Sequence, residues 1–151
     1  KGEVLVLGPR PGAPCPVGRV VRTPGVYLVP RPDGRVVVGA TQQEAGDVDP
    51  TAGAALDLLE EAVRVVPALR EMALLEHRAG LRPAAPDALP VLGRDGDGLV
   101  WAAGGFRHGV LLTPVAARAA ARVARGEDPG PEWAPFTPMR FAASREEVRC
   151  G

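Results

Sequence analysis

Residues 26–39 read VYLVPRPDGRVVVG, with an apolar run on each side of Pro32-Asp33-Gly34. Proline, aspartate and glycine favour a tight turn, and runs rich in valine favour strands. The stretch therefore predicts an antiparallel hairpin in which residues 26–29 pair with residues 35–39.

The chain around this hairpin predicts more strands and a helix. Two further short strands are expected at residues 4–7 and 17–22, and an extended segment at residues 74–81. Thr51 is a suitable N-cap for a helix that continues to about Val66. Its expected apolar face consists of Ala55, Leu59, Ala62 and Val66. These elements indicate an antiparallel sheet with a covering helix.

The second half of the chain predicts two more short strands, at residues 89–92 and 99–103, and a second helix. This helix should begin near Gly109 and end at Arg125, with Gly126 as its stop. A broad apolar face of small residues suits it to lie closely on a sheet; that face is Leu112, Val115, Ala116, Ala119, Ala120 and Val123. We therefore predict an α+β fold, followed from Glu127 by a proline-rich tail that wraps the surface.

Composition and charge narrow the classes of partner. The chain has 151 residues, 46% of them hydrophobic, and its 18 basic and 18 acidic residues give no net charge. This balance does not favour nucleic acid or an anionic membrane surface, and no apolar run approaches the roughly 20 residues of a membrane span. Cys15 and Cys150 fit neither a metal site nor a disulfide framework, so we expect a reduced, cytoplasmic protein.

Two arginine motifs point to an anionic ligand. They are AGLRP at residues 79–83 and GGFRHG at residues 104–109. Glycines at a strand-to-helix turn let a ligand approach the backbone, and the start of a helix favours negative charge. Taken alone, Arg82 or Arg107 could equally be an ordinary surface arginine and not an anion ligand.

Three further features of the sequence bear on candidate ligand, metal and phosphate sites. Tyr27 is either a core aromatic residue or a hydroxyl donor that faces a ligand. His77 and His108 lie far apart, with no cysteine or carboxylate at metal-ligand spacing, so no metal site is predicted. The chain contains no GxGxxG motif, and a cradle for a dinucleotide phosphate is not indicated within it.

Four stretches resemble the glycine oxidase and D-amino-acid oxidase family of FAD-dependent amine oxidases. They are GVYLVPR with DGRVVVGAT (25–31 and 33–41); AGLRP with PD and LPVLG (79–83, 86–87 and 89–93); GFRHGVLLTP (105–114); and PF with RF (135–136 and 140–141). They follow the order and spacing of the family over nearly the whole chain. The resemblance implies a substrate-binding domain at residues 1–81, a flavin-edge segment of the FAD-binding domain at 82–141, and a tail at 142–151.

The resemblance also implies roles for individual residues. Arg82 would bind the substrate carboxylate through two hydrogen bonds, and Tyr27 would donate another; Arg107 is a third candidate in the substrate site. The backbone along the flavin would come from Gly104, Gly105, Phe106, Arg107, His108, Gly109, Val110 and Leu111. No residue is expected to act as a catalytic acid or base, and no metal is expected.

The implied function is oxidative deamination of glycine or a small amino acid by FAD and molecular oxygen, with release of hydrogen peroxide, as in thiamine biosynthesis. The family's N-terminal half, with its FAD diphosphate site, would be a required partner. One alternative is a catalytically silent fragment or partner-binding domain, and another is sarcosine or another secondary amine as substrate. The oligomeric state is left open, with a homo-oligomer among the options.

Overall fold

The predicted hairpin forms two strands of a five-stranded sheet in the computed structural model, which describes residues 1–142. The strands are β1 (Gly2–Gly8), β2 (Val21–Arg22), β3 (Tyr27–Pro30), β4 (Val36–Gly39) and β5 (Ala73–Gly80). Their order is β2-β3-β4-β1-β5, and every neighbouring pair is antiparallel. The sheet belongs to a first compact unit, Lys1–Leu81, and a second unit begins at Arg82.

A helix, α1 (Ala52–Val65), covers one face of this sheet, and a 3-10 helix follows it at Pro67–Glu71. Thr51 caps α1 as predicted, because its side-chain oxygen accepts a hydrogen bond from the Ala54 amide at 3.3 Å. The core between helix and sheet includes Leu5, Leu7, Leu28, Val36, Val38, Leu58, Ala62 and Leu69.

The predicted apolar face of α1 is partly correct, since Ala62 is buried and Ala55, Leu59 and Val66 pack against the core. The buried residues are Ala54, Leu58 and Ala62, whereas Ala55 and Leu59 lie at the margin of the core. Apolar residues occupy both sets of positions, so the helical pattern alone does not settle which set faces the sheet. The start of the helix is held by a contact with β1.

That contact is made by Glu3, a charged residue whose side chain is completely buried. Its carboxylate accepts hydrogen bonds from the Thr51 amide at 2.9 Å and the Thr51 hydroxyl at 3.3 Å, and it lies 3.4 Å from the Lys1 ammonium. His77 Nε2 on β5 is 2.8 Å from the same carboxylate, without hydrogen-bond geometry. Glu3 therefore joins β1 to the start of α1 and to β5.

These contacts also determine the ionisation of Glu3. Burial by itself raises the pKa of a carboxyl, but the hydrogen bond from Thr51 and the interactions with Lys1 outweigh it, so the pKa of Glu3 lies below its usual range. The buried group is therefore an ionised carboxylate whose charge is compensated within the unit.

The second unit contains two strands, β6 (Val91–Arg94) and β7 (Val100–Ala103), which form an antiparallel pair, and the helix α2 (Gly109–Ala124). Two 3-10 helices, Pro131–Phe136 and Pro138–Phe141, follow. The α+β class is confirmed. The tail that the family resemblance implies begins at residue 142. Residues 143–151, including Cys150, lie outside the described residues.

The apolar face predicted along the whole of α2 is only partly correct. Ala119 and Val123 are buried against Leu92, and Trp133 and Phe136 of the first of these 3-10 helices pack on the same cluster. The first half of the helix is open, with Val115 47% exposed. Within residues 1–142, no helix is both long and apolar enough to cross a membrane.

Candidate functional site

Tyr27 lies on the face of the first unit's sheet that points away from α1. It pairs with Gly39 across β3 and β4, and Gly39 pairs in turn with Val4 of β1. Because side chains alternate along a strand, these three residues share one face, while the neighbouring Leu28 and Val38 point toward α1. We call the face that carries Tyr27 the open face.

The tyrosine ring lies directly on the backbone of Gly39. A Cβ atom at Gly39 would be 2.6 Å from the Tyr27 hydroxyl oxygen and 2.7 Å from the ring atom that bears it. No larger residue fits there without displacing the ring. The hydroxyl group is thereby held over β4 on the open face, where Tyr27 is half-buried.

Arg82 is half-buried and lies at the start of the second unit, immediately after the extended segment that ends the first. The carbonyl of the next residue, Pro83, accepts a hydrogen bond from the Phe106 amide at 3.0 Å. We call residues 82–83 the Arg82 turn. The structure places it beside the segment that we call the glycine loop, residues 104–109.

The glycine loop contains two close backbone approaches that exclude side chains. Gly104 is buried with a φ of +70°, and a Cβ there would lie 3.3 Å from the Leu89 carbonyl oxygen. A Cβ at Gly105 would lie only 2.8 Å from the Gly109 Cα. Phe106 adopts a φ of +44°, which residues with side chains rarely do. The surrounding contacts thus impose a specific backbone path on the loop.

Arg107 and His108 are both exposed on the glycine loop. The loop closes with a hydrogen bond from the His108 amide to the Gly105 carbonyl at 2.8 Å. This turn leads directly into α2, so the loop sets the place where the helix begins.

The start of α2 has no side-chain cap. His108 stands at the N-cap position without a capping hydrogen bond, and the first turn contains no acidic residue. The Leu112 amide makes the first helical bond, to the His108 carbonyl at 2.8 Å. The amides before it have no helical acceptor, and the flanking Val110 and Leu111 side chains are 93% and 75% exposed.

These features fit the electron-rich edge of an isoalloxazine ring. An uncapped helix start carries partial positive charge and presents N–H donors. A Cβ added at Gly109 would have no atom within 4 Å, so the backbone there is approachable, and no carboxylate in the first turn of α2 competes for its donors. The residues predicted to lie along the flavin are therefore suited to that group.

The predicted site residues are distributed over both units. Arg82 and the glycine loop lie in the second unit and are joined by the hydrogen bond between Pro83 and Phe106. Tyr27 belongs to the first unit.

Sequence reasoning gave no role to a pair that braces the Arg82 turn, Asp87 and Arg140. Arg140 Nε donates to an Asp87 carboxylate oxygen at 2.7 Å, although the two residues are 53 positions apart. The hydrogen bond from Arg140 holds the pKa of Asp87 below its usual range. Both residues stand in the family-like stretches PD and RF, which was the available signal. In residues 1–142, no group of His, Cys, Asp or Glu side chains is arranged to hold a metal ion.

Comparison with known proteins gives consistent relatives. Residues 1–123 match the model of the FAD-dependent oxidoreductase family. The bifunctional protein ThiO/ThiG of Synechocystis is 38% identical over 146 residues, which are 93% of this chain and 22% of that protein. The glycine oxidase of Pseudomonas aeruginosa is 36% identical over 123 residues, or 80% of this chain and 34% of that enzyme.

The fold is shared with a solved glycine oxidase. The crystal structure of the enzyme from Geobacillus kaustophilus superposes with a TM-score of 0.79 at 31% identity, covering 90% of this chain and 37% of that one. The chain thus spans between about a fifth and somewhat over a third of the length of these proteins. Because the family model matches residues 1–123, which make up most of this chain, the chain belongs to the FAD-dependent oxidoreductase family.

Proposed function

We propose that this chain supplies the substrate-carboxylate site and the flavin-edge loop of an FAD-dependent oxidase of glycine or another small amino acid. The hydrogen bond between the Phe106 amide and the Pro83 carbonyl carries the proposal. It puts the arginine best suited to hold a carboxylate next to the loop that begins α2. A substrate held there would have its carboxylate and its reacting carbon fixed by neighbouring segments of one unit.

Arg82 is the principal carboxylate ligand in this proposal. Its planar guanidinium can donate two parallel hydrogen bonds to a carboxylate, a geometry that a lysine ammonium does not offer. Proline at position 83 disfavours a helical backbone at Arg82, so the side chain leaves an extended segment in a restricted direction. Arg107 adds positive charge at the same site.

The start of α2 has a separate role. When bound, FAD supplies the two-electron oxidation of the amine to an imine, with molecular oxygen as the final acceptor and hydrogen peroxide as the product. The free amides and positive end of α2 stabilise the negative charge that collects at the flavin edge during reduction. The imine then hydrolyses to the 2-oxo acid.

The contacts to the FAD diphosphate come from outside these 151 residues in this proposal. The chain contains no GxGxxG stretch. The matched segment makes up 22% of the ThiO/ThiG relative and 34% of the glycine oxidase relative. We therefore propose that an N-terminal half of the kind found in the family completes the cofactor site.

The test uses the protein expressed from its full open reading frame and saturated with FAD. Glycine should give stoichiometric hydrogen peroxide. Arg82→Ala should raise the KM for glycine by about 100-fold or more, because a bidentate charged contact is lost. Arg118→Ala, an exposed arginine on α2, is the matched control and should leave KM unchanged. An unaltered KM in Arg82→Ala would remove Arg82 from the carboxylate site.

A second candidate function follows from the missing phosphate cradle: the chain alone is a folded, catalytically silent domain that binds a flavin-binding partner. Absorbance separates the two. Purified chain that carries flavin absorbance contradicts the silent domain, and colourless chain that co-purifies with a flavoprotein partner supports it. Comparing kcat/KM for glycine and sarcosine then decides between a primary and a secondary amine.

A further inference from the structure

Arg140, in the 3-10 helix Pro138–Phe141, has an unusually complete set of hydrogen bonds. Besides Asp87, its guanidinium donates to four backbone carbonyls, at 2.8–3.2 Å: those of Phe136, Thr137, Leu89 and Pro90. Its side chain is 16% exposed, and the Phe141 ring lies 4.2 Å from the guanidinium carbon. A lysine offers only three donors from one point and cannot reproduce this planar array.

Besides the Phe136 and Thr137 carbonyls, which lie next to it in the chain, Arg140 holds groups of one short segment, residues 83–90. Both Asp87 carboxylate oxygens accept from Arg140, at 2.7 and 3.1 Å, and one of them also accepts from the Leu89 amide at 3.1 Å. The Ala88 amide donates to the Ala85 carbonyl at 2.8 Å. This segment is thus a closed turn. Arg140 binds it through the Asp87 carboxylate and through the carbonyls of Leu89 and Pro90.

The glycine loop contacts both ends of the same segment. Phe106 donates its amide to Pro83 at one end of the segment, and Gly104 lies against the Leu89 carbonyl at the other. The Leu89 carbonyl therefore accepts a hydrogen bond from Arg140 and also lies close to Gly104 of the glycine loop. Any shift of the 83–90 segment displaces the supports of the glycine loop together with the backbone that follows Arg82.

We propose that Arg140 is a positioning residue for the oxidase site, which through the 83–90 segment sets the placement of the Arg82 turn and of the glycine loop. The role in catalysis rests on the proposed function, since it assumes that Arg82 holds the carboxylate. The placement of the loop itself does not depend on that assumption.

A second arginine provides the contrast that isolates this role. Arg94 also donates to backbone carbonyls, those of Gly98 at 2.7 Å and Val123 at 3.1 Å. These bonds join the turn after β6 to the last part of α2. Since neither bond reaches the 83–90 segment or the glycine loop, Arg94→Lys is the matched control for Arg140→Lys.

The experiment compares Arg140→Lys, Asp87→Asn and Arg94→Lys in the full-length protein loaded with FAD. Hydrogen exchange is followed in peptides that cover residues 83–90 and 104–112. Acetate, a simple carboxylate probe, is titrated against the flavin absorbance, and KM and kcat are measured with glycine. Arg140→Lys should speed exchange in both peptides and raise the acetate Kd and the glycine KM by about ten- to 100-fold, with a smaller change in kcat.

Asp87→Asn should show the same pattern more weakly, and it decides the question if Arg140→Lys fails to fold. Adding Asp87→Asn to Arg140→Lys should cost little more than Arg140→Lys alone, because the two residues act as one pair. Arg94→Lys should leave exchange in both peptides and the acetate Kd at their original values.

Unchanged exchange in the 104–112 peptide of both Arg140→Lys and Asp87→Asn would overturn the proposal, even if the melting temperature falls. So would an Arg140→Lys profile that matches Arg94→Lys. Absence of glycine oxidation in the unaltered protein would refute the proposed function only, since the exchange data would still decide whether Arg140 holds the loop.

Discussion

The two helices of this chain begin in opposite ways. At α1, Thr51 caps the first turn with its side chain, and the buried Glu3 carboxylate accepts from the Thr51 backbone amide. At α2, His108 provides no cap and no acidic residue follows in the first turn. The first helix is buried along one side from its first turn, whereas the first half of α2 is exposed.

This difference separates a helix start used for stability from one available for a ligand. At the start of α1, the Ala54 amide is capped by Thr51 within the first unit, and the positive end of the helix is compensated by the Glu3 carboxylate. The donors at the start of α2 stay available, and the family to which the chain belongs provides a cofactor with an electron-rich edge. Removing, adding or crowding the groups at each helix start tests this contrast.

Removing the buried carboxylate should have the largest effect. Glu3→Ala leaves the Thr51 amide without its acceptor and removes the buried carboxylate beside the Lys1 ammonium, and breaking a buried charged pair costs about 3–5 kcal/mol. Urea denaturation followed by circular dichroism should show this loss. Glu60→Ala, an exposed carboxylate on α1, should change the free energy of unfolding by less than about 0.5 kcal/mol. Equal effects of the two substitutions would contradict the assigned role of Glu3.

The same carboxylate should make stability depend on pH. Because the folded pKa of Glu3 lies below its ordinary value of 4.5, its contribution is fully present above that pH. It is lost as the pH falls through the folded pKa, since the unfolded chain binds the proton more readily. The stability difference between the unaltered protein and Glu3→Gln should therefore shrink below pH 4.5. A difference that stays constant from pH 7 to pH 3 would exclude this linkage.

Crowding the two helix starts should give effects of opposite sign. Gly105→Ala places a Cβ 2.8 Å from the Gly109 Cα, and such overpacking costs about 1–3 kcal/mol. Gly53→Ala lies in the first turn of α1 with no atom within 4 Å of the added Cβ. There the substitution should stabilise the protein by about 0.5–1 kcal/mol, since alanine is the better helix former. Thermal unfolding of both variants measures the pair, and stabilisation by Gly105→Ala would be inconsistent with the loop geometry.

The sequence predicted the interactions between residues close together in the chain and missed those between residues far apart. The hairpin and the Thr51 cap are local, because turn residues and a cap act within a few positions, and both were predicted. The contact that fixes the start of α1 joins Glu3 to Thr51, 48 residues away, and it was not predicted. The pairing of Asp87 with Arg140, 53 residues apart, and the bond between Pro83 and Phe106 arise from tertiary packing that one sequence does not encode visibly.

Removing the side chain at each N-cap should produce a smaller difference. Thr51→Ala deletes the acceptor of the Ala54 amide and should cost about 1 kcal/mol in free energy of unfolding. His108→Ala deletes no capping bond, so the expected change is below about 0.5 kcal/mol. Parallel urea titrations measure both values. Equal losses would mean that the start of α2 is capped in solution and that the contrast between the helices is wrong.

The smallest stability effect should come from giving α2 the cap it lacks. His108→Asp adds an acceptor for the amides of the first turn and a negative charge at the positive helix end, which together should stabilise the helix by about 0.5–1 kcal/mol. The same charge would oppose the negative charge that collects at the flavin edge, and kcat should fall about two- to fivefold. His108→Asn separates the two causes, because it adds the cap without the charge. If Asn lowers kcat as much as Asp, the helix start acts through its N–H donors; if only Asp does, it acts through its field. A gain in stability with unchanged kcat in both variants would show that the start of α2 is not used in the reaction.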